Sequence, residues 1–441
     1  MVNLSSGLDK KDLEKVINHE EGNSSETNNE GHIENGLDQN TGVKPPDEGY
    51  SWLILIAGLL NFMISFGSFN AFGVFQTYYL LTRFKEYDAG TVSWISNVTI
   101  TMTLVGGLSA SYIISIIGIR KTSILGAALG VIGLLLASFS DKIWQLVLTQ
   151  GIIYGYGSSL IVNISLLMQA LWFEKRRGLA IGIVSSGGAI GALIMVPLVT
   201  STINNLGIKW SFRILALIFL ASTALGCIFY KPRLPFKPNR KVIDFKMLKD
   251  PFIVLLSLGG FFMQFGYNVP LLFFPASLRS LGYEQTFATN FIMVMAGASV
   301  IGRLGSGQLA DIIPPLYIVI FGNVVAGIII LTLWYLGNSL STYTIFYVLF
   351  GLFGINFHSL APSMISSRYS YDKVSQVNGL LFLTLGISVF ISIPVIGHIF
   401  QKLGKRIVFD HIIVFGGVSY LISSAILVIL GIYLKRAPQP K

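Results

Sequence analysis

The stretch "WFEKRRGLAIGIVSSGGAIG", Trp172 to Gly191, joins three consecutive cations to a long run of small and apolar residues. An apolar run of about 20 residues is long enough to cross a bilayer as a helix. Lys175, Arg176 and Arg177 stand at its mouth, and cations in a short loop hold that end of a span in the cytosol. Runs of the same kind recur from Trp52 to Leu434. The chain is therefore expected to be an all-α integral membrane protein, with the lipid bilayer as its first partner.

Composition points the same way. Of 441 residues, 53% are hydrophobic and 12% charged, and the mean hydropathy is +0.68, whereas a soluble domain carries about a quarter of its residues charged. The one cysteine, Cys227, excludes a disulfide framework and a thiolate metal site. No metal and no cofactor are expected. No short apolar segment with a cleavage site precedes the first span, which should be its own targeting signal.

Residues 1–48 are different material, holding 11 of the 21 acids against four lysines and almost no aromatic side chains. Such a segment buries too little to offset its ordering entropy, so a disordered cytosolic tail is expected. The rest of the chain has 31 less 4 cations and 21 less 11 acids, a net +17. A basic balance of this size is also found in nucleic-acid binders, but these cations lie in short loops between apolar runs, so no nucleic-acid partner is expected.

Hydropathy and punctuation predict twelve spans: 52–80, 91–117, 122–140, 143–172, 179–203, 211–230, 252–278, 287–309, 316–336, 342–366, 377–401 and 411–434. The basic loop "KPRLPFKPNRKVIDFKMLKD", 231–250, separates six helices in 49–230 from six in 251–435, and 436–441 forms a short tail. Arg120, Lys121, the Lys175–Arg177 run and the long loop all fall on one side, which places both termini in the cytosol. The two halves also repeat. "VGGLSASYIISIIG" (105–118) aligns without a gap on "IGRLGSGQLADIIP" (301–314), and "VPLVTSTINNLGIK" (196–209) aligns on "IPVIGHIFQKLGKR" (393–406) at nearly the same offset. Pro197 meets Pro394, and Leu206-Gly207 meets Leu403-Gly404.

Two pseudo-symmetric six-helix bundles about an axis along the membrane normal are the plan of the major facilitator transporters. "GQLAD", Gly307 to Asp311, resembles that superfamily's Gly-x-x-x-Asp loop signature, while the matching Ser111 to Ser115 has neither residue. Two stretches resemble the monocarboxylate transporter family in particular. "DEGYSW" (47–52) is similar to its motif before span one through Asp47, Gly49, Tyr50 and Trp52, with Glu48 and Ser51 departing. The opening stretch is similar to its second motif through Trp172, Phe173, Lys175, Arg176, Arg177, Leu179, Ala180 and Gly182. "FGVFQTYY" (72–79) resembles fungal members. The resemblance covers about 49–435 and implies a secondary transporter working by alternating access.

Among the glycines, Gly178 with Gly182 and Gly187 with Gly191 form Gly-x-x-x-Gly pairs that let helix backbones approach closely. Span eight carries Gly297, Gly302, Gly305 and Gly307. The resembling architecture places spans five and eight against each other, so Gly182, Gly187 and Gly191 are expected either to pack there statically or to let the halves slide.

Outside the tail every acid lies in a loop or at a span edge, with Asp311 at the inner end of span eight. Arg303 is the exception among cations, about eight residues or roughly 12 Å inside that end. Burying it mid-helix costs about 2.5–3.5 kcal/mol on insertion scales, and it stays ionised. It reads as an anion site on a central cavity, or as a side chain snorkelling to the inner surface. The resemblance implies a substrate-binding Arg in span eight, which "VIGRLGSG" places at Arg303. The family's Lys in span one and its Asp one turn before the Arg fall on Asn70 and Ser299, which leaves proton coupling open.

Candidate lining residues are Ser68 and Asn70, Asn97, Tyr154, Tyr156 and Asn163, and Ser185 and Ser186 in the first half, with Gln264, Tyr267, Asn268 and Asn356 in the second. Each could equally be a packing residue with its hydrogen bonds made inside the protein. His358, at the depth of Arg303, could carry a proton or be a neutral core histidine. The sequons at Asn97 and Asn163 lie in spans and are not read as glycosylation sites.

A membrane enzyme would need His-x-x-x-His or paired intramembrane acids, and neither occurs. A transporter-like nutrient sensor usually carries a long signalling extension, whereas here the last residues are only "KRAPQPK". The expected function is transport of a small organic solute: an organic anion such as a monocarboxylate, with protons as a possible second partner, or by facilitated diffusion a larger metabolite such as riboflavin. The plasma membrane is the expected site, with a vacuolar or other organelle membrane as the alternative. Nothing in the sequence assigns an accessory single-pass partner.

Overall fold

The structure is a computed structural model that describes residues 45–233, 247–405 and 408–436. Most of the tail expected over 1–48, the linker residues 234–246, and the end beyond 436 lie outside the described residues. All secondary structure among the described residues is helical. Twelve long helices are present: α1 Tyr50–Tyr78, α2 Gly90–Ile117, α3 Ile119–Ala137, α4 Ile143–Trp172, α5 Arg177–Leu206, α6 Ile208–Phe229, α7 Pro251–Ser280, α8 Ile292–Ala310, α9 Pro315–Trp334, α10 Leu340–Arg368, α11 Tyr371–Lys402 and α12 Asp410–Arg436. Eleven are long and apolar enough to cross a membrane. The twelfth, α8, holds Arg303 in its middle, and that one charge lowers the hydropathy of the whole segment.

The expected spans and the helices agree in number, but two loops are shorter than expected. Span three was placed from 122 and span six from 211, yet α3 begins at Ile119 and α6 at Ile208. In each case a single glycine makes the turn, Gly118 at φ +83° and Gly207 at φ +82°. With ψ near 160°, this conformation is essentially open to glycine alone.

Within the first half α1 packs on α5, α4 and α6, and α3 packs on α6. Within the second, α7 packs on α12 and α11, α9 on α12, and α8 on α10. Two seams join the halves, α5 on α8 and α2 on α11.

The glycines divide between these contacts differently from expectation. A Cβ on Gly182 would lie 2.6 Å from the Arg303 carbonyl oxygen, and one on Gly178 would lie 2.6 Å from that of Gly307. These two, with Gly307, make the α5–α8 seam. Gly187 and Gly191 instead face α1, where a Cβ would meet the carbonyl oxygens of Leu59 at 2.6 Å and Met63 at 2.2 Å. The expectation that they line the sliding seam is thus corrected: five residues along an α-helix is about 500° of rotation, which turns Gly187 onto another face than Gly182. Of the α8 glycines, Gly307 meets α5 and Gly302 packs on Leu352 of α10, whereas a Cβ on Gly297 or Gly305 would point into open space.

The compact unit starts at Pro46, inside the tail expected to run to 48. Asp47 holds it there, because its carboxylate accepts hydrogen bonds from the backbone N–H groups of Glu174 (3.2 Å), Lys175 (3.0 Å) and Arg176 (3.0 Å). Tyr50 then packs on Trp172 with centroids 5.1 Å apart and the rings tilted by 45°, and Trp52 meets Phe173 edge-on at 5.8 Å. The two sequence motifs at 47–52 and 172–182 are therefore one interlocked unit.

Candidate functional site

A break in α10 positions the first part of the site. The helix runs to Phe353 and resumes at Asn356, and the Gly354 carbonyl freed by the interruption accepts from the Tyr420 hydroxyl at 2.8 Å. His358 follows in the first turn after the break, its own N–H donating to Ile355. Its ring faces α7, with Nε2 2.8 Å from Gln264 Oε1 and Tyr267 5.4 Å away between ring centroids. Gln264 Nε2 donates to Asn268 Oδ1 at 3.0 Å, and Asn268 Nδ2 donates to Ser392 Oγ on α11 at 2.7 Å. A polar ridge thus ties three helices of the second half together.

This ridge forms one wall of a cavity between the halves, with Gln264, Tyr267, Asn268, Ser299, Arg303 and His358 on the second-half side. The first half contributes Asn70 and Thr103 but mostly apolar groups: Phe62, Phe66, Ile100 and Leu104. Phe62 and Phe66 stack on each other at 4.8 Å. Polar and apolar groups line both sides of the cavity, and the one cation in the lining, Arg303, comes from the second half.

Arg303 does not snorkel. Its Nη1 crosses the seam to donate to the backbone carbonyl of Ser185 on α5, and its Nε is buried without a partner. Gly188 lies beside it, where a Cβ would be in ordinary contact with Nη1 at 3.5 Å. None of the salt bridges among the described residues reaches Arg303. No group of three or more His, Cys, Asp or Glu that could hold a metal occurs among the described residues.

Of the residues singled out in sequence, Asn70, Ser185, Gln264, Tyr267, Asn268, Arg303 and His358 line the cavity, whereas Ser68, Asn97, Tyr154, Tyr156, Asn163, Ser186 and Asn356 do not. Tyr154 is fully buried in the first half, between Phe72 and Phe219, with its hydroxyl donating to Ser65. Tyr156 pairs with Ser109 at 2.6 Å. Asn163 joins the halves by accepting from Ser375 Oγ at 2.7 Å, and Asn356 accepts from Ser306 Oγ at 3.3 Å. Each is a polar side chain whose helix face turns into a neighbouring helix, which hydropathy does not reveal. Phe62, Phe66, Ile100 and Leu104 went unnoticed because apolar residues on an apolar helix give no contrast.

At the end of the molecule bearing the Lys175–Arg177 loop, the halves are latched. Asp311, at the foot of α8, accepts from the first free amides of α5, Gly178 N at 2.6 Å and Leu179 N at 3.0 Å. Burial against that seam holds the Asp311 carboxyl above the ordinary carboxylate range, against the opposing effect of the two amides. Arg177 reaches across to the Ser366 carbonyl at 2.7 Å, whereas Lys175 and Arg176 lie exposed. Asn163 and Ser375 close the second seam nearby.

Residues 57–393 match the family model of the Major Facilitator Superfamily. The chain belongs to that superfamily. This facilitator is 29% identical over 390 residues to the MFS transporter asaE of Aspergillus flavus, covering 87% of this chain and 88% of that one. It is 30% identical over 390 residues to the fujikurins efflux protein of Gibberella fujikuroi, covering 87% and 83%. The fucose:proton symporter FucP of E. coli superposes with a TM-score of 0.68 at 13% identity, over 87% of this chain and 99% of that one. The human organic anion transporter MFSD10 gives 0.66 at 12% identity, over 86% and 100%. The fold is accordingly that of a multi-pass membrane transporter, not an enzyme.

Proposed function

We propose that this facilitator carries an amphiphilic organic anion across its membrane by alternating access, with Arg303 holding the anionic group. The carrying observation is a mid-membrane guanidinium on a cavity wall with no carboxylate partner among the described residues. A charge that is costly to bury is kept where a ligand can neutralise it. Phe62, Phe66 and Leu104 in the lining suit the hydrocarbon part of such a solute, monocarboxylates among them. The loop charges put the Lys175–Arg177 end in the cytosol, so the cavity is closed to the cytosol here by Asp311 and Arg177. Rocking at the Gly178–Gly182–Gly307 seam would release that closure. Relatives named as efflux proteins support export as the direction. His358 is the candidate proton carrier, since Asn70 and Ser299 offer no carboxylate or ammonium.

The test is transport in proteoliposomes over a panel of organic anions. Arg303→Lys keeps the charge but loses the planar fork. Losing a charge-assisted pair of about 1.5–3 kcal/mol weakens binding roughly 10- to 150-fold. A folded Arg303→Lys protein with full transport would refute the anion site, and transport insensitive to pH would refute coupling through His358.

A further inference from the structure

We infer that the backbone carbonyl of Ser185 is a built-in competitor for the transported anion, so that closing the α5–α8 seam and binding an anion at Arg303 oppose each other. The inference rests on the anion reading of Arg303 and adds regulation to that site. Arg303 touches α5 at successive turns. A Cβ on Gly182 would come within 2.6 Å of the Arg303 carbonyl oxygen, and the guanidinium Nη1 donates to the Ser185 carbonyl. A Cβ on Gly188 would sit 3.5 Å from the same nitrogen. The guanidinium thus lies along the seam, yet Ser185, Gly188 and Arg303 all line the cavity. The tie stands in the wall that a ligand meets.

A backbone carbonyl offers the guanidinium a dipole but no opposite charge, and no salt bridge among the described residues supplies one. A carboxylate would bring that charge and take the planar fork through two parallel N–H groups. With the seam shut, an anion must displace the Ser185 carbonyl or make do with the remaining N–H groups. With the seam parted, that carbonyl has moved away with α5 and the whole fork is free. Anion affinity is therefore lower in the state closed at the Lys175–Arg177 end than in the opposite one. Linkage makes the effect reciprocal: a bound anion favours parting of the seam by the same factor. In an exporter this sign is useful. The anion is held tightly on the cytosolic side and given up outside as the Ser185 carbonyl takes back the guanidinium.

The experiment uses the purified full-length protein carrying Cys227→Ser and Ser366→Cys as the parent and reads two quantities. One is the alkylation rate at position 366, which the Arg177 contact covers while the seam is shut. The other is Kd for two amphiphilic anions, phenylacetate and octanoate. Without ligand, Arg303→Met should raise the alkylation rate about tenfold or more, because the tie is gone. Saturating anion should raise the rate in the parent and leave Arg303→Met unchanged. Gly182→Ala parts the seam without altering the guanidinium, so it should bind both anions at least about fivefold tighter than the parent. Unchanged alkylation of a folded Arg303→Met protein would overturn the inference and leave the anion site standing. So would a rate that bound anion slows or leaves unchanged in the parent, or a Gly182→Ala affinity no better than the parent's. Binding of neither anion by the parent or Gly182→Ala, or undiminished binding by Arg303→Met, would overturn the anion reading and this inference with it.

Discussion

Gly182→Ala is the sharpest probe of how the two halves move. The added Cβ would lie 2.6 Å from the Arg303 carbonyl oxygen and 3.1 Å from the Gly307 Cα. Both neighbours are backbone, so no rotamer change can relieve the contact, and α5 and α8 must separate. Overpacking of this kind costs about 1–3 kcal/mol. The cost falls only on the state in which the seam is shut, so the equilibrium should shift about 5- to 150-fold toward the state open at the Lys175–Arg177 end. The assay is alkylation of a cysteine introduced at Ser366 in a Cys227→Ser background, comparing labelling rates with and without the substitution. The Arg177 contact covers Ser366 in the closed state, so labelling should accelerate. Gly187→Ala is the control: its Cβ would clash with Leu59 of α1 at 2.6 Å, inside one half. That variant should lose thermal stability with no change in labelling of the folded fraction. If Gly182→Ala labelled and transported like the wild type, the seam would not be the moving contact.

Asp47→Ala removes the acceptor for three backbone amides of the Glu174–Arg176 turn; by analogy with a lost helix cap it should cost about 0.5–2 kcal/mol. A melting curve matching the wild type would count against that role. For Asp311, burial raises its pKa in the closed state, while opening returns the carboxyl to water and its ordinary value. The closed state thus binds the proton more tightly: its advantage is complete below the ordinary carboxylate value and is lost as pH rises through the raised one. Asp311→Asn should flatten that pH dependence of Ser366-site labelling, and an unchanged profile would refute the assignment.

Much of the architecture was legible in the residues because a bilayer imposes one rule on every span: the backbone must satisfy itself within a helix of about 20 apolar residues. Hence twelve spans, and Arg303 as an oddity among them, could be read from composition and order alone. Arg303 is conspicuous because a lone cation in an apolar run is costly, but only the structure decides between snorkelling and a place on the cavity wall. The polar residues around it had no such contrast. Asn163 and Asn268 look alike in sequence, yet Asn268 faces the cavity and Asn163 bonds Ser375 across a seam. Which face a helix turns to its neighbours is set by packing, and α10 shows how small the cause can be: a two-residue interruption re-aims His358. The same holds for the glycines. Their spacing marked close approach, but only the tertiary contacts decided that Gly182 meets α8 while Gly187 and Gly191 meet α1. Local sequence determines what a helix is able to touch, and the partner that arrives there is determined by long-range packing of elements more than 100 residues apart.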